Sequence, residues 1–117
     1  NICSNEALCA LTAGLYMATM GPDGMAEAAE QSMAKAHYLE KALCALPGVE
    51  PVYGGAYFHE FVLKMPRRQE LLHALGDQGI LGGLPVGEDR VLWCATEKVS
   101  RQELDEAVSI VKEVLDR

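Results

Sequence analysis

The chain has 117 residues, half of them apolar, with 10 Lys and Arg against 17 Asp and Glu for a net charge of −7. That length supports one domain with a real core, and that apolar fraction excludes intrinsic disorder. The acidity excludes nucleic acid, whose binding needs clustered Lys and Arg, and equally an anionic membrane surface.

In chain order, the first stretch, Asn1 to Met20, carries a single charge, Glu6. Ala, Leu and Met predict a helix from about Asn5, with Asn5 as N-cap and Glu6 in the positive first turn. Leu8, Leu11, Leu15 and Ala18 form one apolar stripe, and Ala7, Ala10, Gly14 and Met17 make the opposite side nearly as apolar. A helix apolar all round is expected to be buried all round. It falls short of the about 20 apolar residues a bilayer needs, so one side should pack on this chain and the other on a surface outside it. No basic n-region precedes it, so no secretory signal is read. The opening Asn in place of Met fits a fragment.

Gly21-Pro22-Asp23-Gly24 breaks that helix, and Pro22 suits the first position of a second one running to about Leu46. Met25, Ala29, Met33, Ala36, Leu39, Leu43 and Leu46 mark its expected core face, with Glu27, Gln31 and Lys35 on another, and the first helix is the expected neighbour. Pro47-Gly48 ends it. Two strands follow as a hairpin, Val49–Tyr53 and Tyr57–Met65, turned by Gly54-Gly55. A third helix carries Leu71, Leu72 and Leu75 and stops at Gly79, with Ile80 folding back onto Leu75. A short strand near Ile80–Leu84 and a longer one at Val91–Thr96 come next. Ser100-Arg-Gln-Glu103 is a capping box opening the last helix, with Leu104, Ala107, Val108, Val111, Val114 and Leu115 inward. The order predicts an α+β fold: a mainly antiparallel four-stranded sheet with helices packed on it.

The chemistry reads as incomplete. Cys3, Cys9, Cys44 and Cys94 are scattered without a C-x-x-C; the last three read as small buried hydrophobes, and no metal site is expected. His59 and Glu60, as neighbours on a strand, should point to opposite faces and not act as a pair. His37 and His73 read as ordinary helix residues, and Arg67 and Arg68 as a solvated helix start. Gly79-Ile-Leu-Gly-Gly-Leu-Pro-Val-Gly87 lacks the Lys-Ser/Thr of a phosphate loop; its glycines read as turns and a bulge, with close backbone approach as the lesser reading. No Lys has surroundings expected to depress its pKa.

Several segments in this order, N-I-C-S-N-E-A-L-C-A-L, Y-F-H-E-F-V-L-K-M-P, G-I-L-G-G-L-P-V-G and L-W-C-A-T-E-K, resemble the C-terminal part of the glycine-cleavage-system P-protein, in particular subunit 1 of the bacterial two-subunit form. The resemblance covers nearly the whole chain. It implies that residues 1–117 are the C-terminal small domain of a longer chain, a fold-type-I pyridoxal phosphate (PLP) enzyme. It implies a cytoplasmic heterotetramer that removes CO2 from glycine and passes the aminomethyl group to the lipoyl arm of the H-protein. The cofactor would be bound in the partner, subunit 2, which holds the Schiff-base lysine; no Lys here inherits that role, and no catalytic or cofactor-binding residue is assigned to this chain. Asn1, Cys3, Ser4 and Asn5 would then lie at the passage between domains, near the partner's cofactor, as positioning elements. The plainer reading of the same stretch is a cap at Asn5 and a linker. Two further classes stay open. A small-molecule regulatory domain of the ACT kind should start strand-helix-strand-strand, not with two helices. A structural oligomerisation domain would share the apolar first helix but leave G-I-L-G-G-L-P-V-G unexplained.

Overall fold

Residues 6–117 are described by the structure, a computed structural model. The sheet is organised around two five-residue strands, β2 (Glu60–Lys64) and β4 (Arg90–Cys94), paired antiparallel with Glu60 opposite Cys94 and Lys64 opposite Arg90. Strand alternation sends Phe61, Leu63, Val91 and Trp93 to one buried face and Glu60, Val62, Lys64, Arg90, Leu92 and Cys94 to the other. The edges are two-residue strands, β1 (Glu50–Pro51) on β2 and β3 (Leu84–Pro85) on β4, giving the order β1-β2-β4-β3 with every pair antiparallel. Each edge strand contains a proline, which lacks a ladder donor and therefore suits an edge. The expected four-stranded antiparallel sheet is the observed one, with both edge strands shorter than read: Val49–Tyr53 forms strand only at Glu50–Pro51, and the strand expected near Ile80–Leu84 lies at Leu84–Pro85.

Three helices complete the described residues: α1 (Ala7–Cys44), α2 (Arg68–Asp77) and α3 (Arg101–Leu115). Leu39 and Leu43 of α1, Leu71 and Leu75 of α2, and Leu104, Val111 and Val114 of α3 meet the inner sheet face in one core. The Trp93 indole N–H, buried there, donates to Met65 Sδ at 3.2 Å. α2 ends as expected. Gly79 takes φ +75°, Gly79 N–H donates to the Gly76 carbonyl and Ile80 N–H to the Leu75 carbonyl, both at 2.9 Å. Those two bonds and a left-handed C′ residue define the Schellman cap.

The capping box of α3 forms as read: Glu103 N–H donates to Ser100 Oγ at 3.2 Å and Ser100 N–H to Glu103 Oε2 at 2.6 Å. Hydrogen bonds from the Ser100 backbone and hydroxyl lower the Glu103 carboxyl below its ordinary 4.5. A lowered folded pKa means the bond stabilises above pH 4.5 and is lost as pH falls through the lower folded value. Ser100→Ala is expected to lower the unfolding free energy by about 1 kcal/mol. Urea midpoints at neutral pH measure the loss, and it should shrink once Glu103 is protonated.

Four expectations are corrected. The helix starts at Ala7 with Glu6 as an N-cap that makes no side-chain bond, so Glu6 is not in its first turn; Asn5 lies outside the described residues. The two predicted helices form one 38-residue element, kinked where Gly21 (φ 64°, ψ 179°) precedes Pro22, and the first half does not fold back on the second. In the second half Met25, Ala29 and Met33 face outward while Ser32 is buried. The reason is polar: Ser32 Oγ accepts from Glu97 N–H at 3.0 Å and Lys35 donates to the Glu97 carbonyl at 2.6 Å, so the β4–α3 loop docks on that side. Finally, residues 57–59 do not join β2. Tyr57 turns away from the sheet to stack on His37 of α1, centroids 4.1 Å apart, and to donate to Glu40 at 2.7 Å.

Candidate functional site

Every residue from Ala7 to Thr19 is exposed. Leu8 is 74%, Leu11 60% and Leu15 61% exposed, beside Tyr16 and Met17. Beyond the kink, exposed Met25 and Met33 extend the uncovered apolar surface. The radius of gyration of 17.1 Å, against about 13 Å for a compact domain of this length, reflects that projecting arm. A helix of such length is marginal in water by itself, and an exposed apolar row of this extent marks an interaction surface. The expectation that one side packs on this chain is therefore overturned: neither side does. The candidate positioning residues Asn1, Cys3, Ser4 and Asn5, which immediately precede this arm, lie outside the described residues.

At the junction of α1 and the sheet, the Tyr57 clasp borders a cavity of about 290 Å3 lined by Tyr53, Gly54, Gly55, Glu40 and Glu60 among others. Burial, with the Glu40 hydrogen bond adding, pushes the Tyr57 phenol well above its ordinary range. It stays a donor across physiological pH, which makes it a clasp and not an acid or base. Two carboxylates on this cavity disfavour an anionic guest. Nor do the lysines fit a Schiff-base role. Lys64 pairs with Asp89 at 3.8 Å in solvent, Lys35 is held by the Glu97 carbonyl, and Lys41, Lys98 and Lys112 are exposed.

The remaining polar groups are tied into structure. Arg67, in a left-handed conformation at φ 53°, donates to Glu70 at 2.5 Å and to the Val114 carbonyl, and Arg68 donates to the Gly87 carbonyl. They sit at the helix start as expected, Arg67 exposed at the N-cap, and also clamp α2 to the end of α3 and to the β3–β4 turn. Arg101 lies over the Tyr38 ring at 3.5 Å and bonds Asp105, which also accepts from Tyr38. His73 lies 3.1 Å from Asp77 in solvent.

Two readings of the cysteines and histidines change. Cys9 and Cys94 are exposed and Cys44 half-buried, so they are not buried hydrophobes; Cys3 lies outside the described residues. Burial, then the Glu60 charge, raises the Cys94 thiol. His59 lies just before β2, its carbonyl still accepting from Ala95 N–H at 3.2 Å, yet its ring comes to the same place as Glu60 and Cys94, with ligand atoms all within 4.8 Å of one another. The expectation that His59 and Glu60 cannot meet is thus corrected. The sequence signal was the residue pair itself; the cluster's third member, Cys94, comes from a strand 34 residues on that only the sheet brings alongside.

The family described as "Glycine cleavage system P-protein" matches residues 1–111. The probable glycine dehydrogenase (decarboxylating) subunit 1 of Moorella thermoacetica is 43% identical over 98% of this chain and 28% of its own length. The same subunit of Thermomicrobium roseum is 38% identical over 97% of this chain and 27% of its own. Among solved structures, the inhibitor-bound glycine decarboxylase (P-protein) of the glycine cleavage system superposes with a TM-score of 0.88 at 36% identity, over 97% of this chain and 27% of that one. The chain thus spans somewhat over a quarter of the length of these relatives.

Proposed function

Because the chain belongs to the glycine cleavage system P-protein family, we propose that residues 1–117 are the C-terminal small domain of subunit 1 of a glycine-decarboxylating P-protein. The observation that carries this reading is the family match along nearly the whole chain, joined to a uniformly exposed apolar helix that the rest of a longer chain would cover. In this reading the assembled enzyme, a cytoplasmic heterotetramer with subunit 2, releases CO2 from glycine and transfers the aminomethyl group to the lipoyl H-protein. PLP supplies the electron sink for decarboxylation and is held by subunit 2. This chain contributes shape: α1 joins the small domain to its neighbours, and the sheet gives that junction a rigid base. Among the described residues no helix is long and apolar enough to cross a membrane.

Asn1, Cys3, Ser4 and Asn5 precede α1, and in this reading they line the interface near the partner's cofactor. Asn and Ser offer donors near a helix start, where the dipole favours anions. Asn1→Ala with Ser4→Ala, made in the assembled two-subunit enzyme, is the test. A fall in glycine decarboxylation of about tenfold with an unchanged melting temperature is expected. Unchanged activity would reduce the stretch to a linker and helix cap. Failure of the assembled enzyme to release CO2 from glycine at all would overturn the functional reading itself.

A further inference from the structure

The outer face of the sheet holds a cluster that the proposed function leaves unused. Glu60 and Cys94 are direct partners across the β2–β4 ladder, so their side chains emerge side by side. His59, one residue before β2, brings its ring to the same point, and a ring nitrogen, a carboxylate oxygen and the thiol sulfur lie within 4.8 Å of one another. Phe58 meets the His59 ring edge-on at 4.6 Å, which fixes its orientation. His59 Nδ1 is shielded from solvent and has no hydrogen-bond partner among the described residues. A buried ring nitrogen left unpaired is costly, and a ligand bound at Nδ1 would remove that cost.

We propose that His59, Glu60 and Cys94 form a binding site for a divalent cation of the zinc class. One nitrogen, one carboxylate oxygen and one sulfur are the donor types that zinc takes, whereas magnesium and calcium favour all-oxygen sets. Bond lengths of about 2.0–2.3 Å set tetrahedral ligands about 3.5 Å apart. Closing the cluster therefore brings its ligand atoms together by about an ångström. On binding, the Cys94 thiol gives its proton to solvent and the thiolate sulfur bonds the metal. Thiolate and carboxylate then balance the dication, with His59 neutral. Three protein ligands leave a fourth position for water or a partner's group.

The probe is Co2+ added to the complete, chelator-stripped subunit. A stoichiometric thiolate-to-cobalt charge-transfer band, bleached by Zn2+, is expected. Cys94→Ser should abolish the band, and His59→Gln and Glu60→Gln should each weaken binding at least tenfold. On the unsubstituted protein, which removes any question of misfolding, Zn2+ should slow alkylation of Cys94 at least tenfold by mass spectrometry. Absence of the band, its survival in Cys94→Ser, or an alkylation rate indifferent to Zn2+ would overturn the site.

Discussion

Gly83→Ala is expected to lower the unfolding free energy by about 3 kcal/mol. Gly83 has φ +103°, outside the range L side chains adopt, which alone costs about 1–2 kcal/mol. A Cβ there would also lie 2.6 Å from the Leu92 carbonyl oxygen and 2.7 Å from Val91 Cγ1. Neither neighbour can retreat. Leu92 belongs to β4, held by β2 on one side and by β3, where it faces Leu84, on the other. Val91 is fully buried. Overpacking of that kind adds about 1–3 kcal/mol. Two other glycines calibrate the result. Gly54 has no atom within 4 Å of an added Cβ, and Gly54→Ala should shift the urea midpoint little. Gly76 lies inside α2 with the same open space, and Gly76→Ala should stabilise by about 1 kcal/mol. Equal midpoint shifts at the three positions would show that the close approach at Gly83 has no energetic weight.

That approach also shows where sequence reasoning stops. The segment G-I-L-G-G-L-P-V-G reads as turns, and Gly79 is one, because the Schellman cap is written within six residues of chain. Gly83 instead answers to Leu92, a neighbour nine positions away that only the folded sheet brings near. The same division runs through the molecule. The Ser100–Glu103 box is local chemistry and appears where it was read, and the strand read at Val91–Thr96 forms at Arg90–Cys94. The outward turn of Met25 and Met33 depends on Ser32 and Lys35 finding Glu97 across 65 and 62 residues. The meeting of His59 and Glu60 with Cys94 depends on β2 pairing with β4 across 34 residues. The positioning role proposed for Asn1, Cys3, Ser4 and Asn5 rests on family resemblance alone, since no charge or spacing pattern singles them out.

The direction of the first half of α1 is the least local feature, and it carries the second large effect. In the assembly proposed above, Leu11→Glu with Leu15→Glu is expected to disrupt association with the proposed partner subunit, or docking within the longer chain, by more than a thousandfold in the relevant equilibrium. Burying one leucine is worth about 1.5–3 kcal/mol. Removing two of them forfeits about 3–6 kcal/mol, and placing unpaired carboxylates in the same interface adds a desolvation cost. At about 1.4 kcal/mol per factor of ten, the sum exceeds three decades. The helix itself should persist, because glutamate is nearly as good a helix former as leucine and neither side chain touches the core cluster. The loss would therefore be one of docking, not of folding. Sedimentation velocity of the subunit mixture reads association, and the melting temperature of the complete subunit reads internal docking. Glu27→Gln, on the polar side of the same helix, should move neither. If the double variant assembles and melts like the unsubstituted protein, the row from Leu8 to Leu15 faces solvent in the complete enzyme, and the covered-helix reading of α1 fails with it.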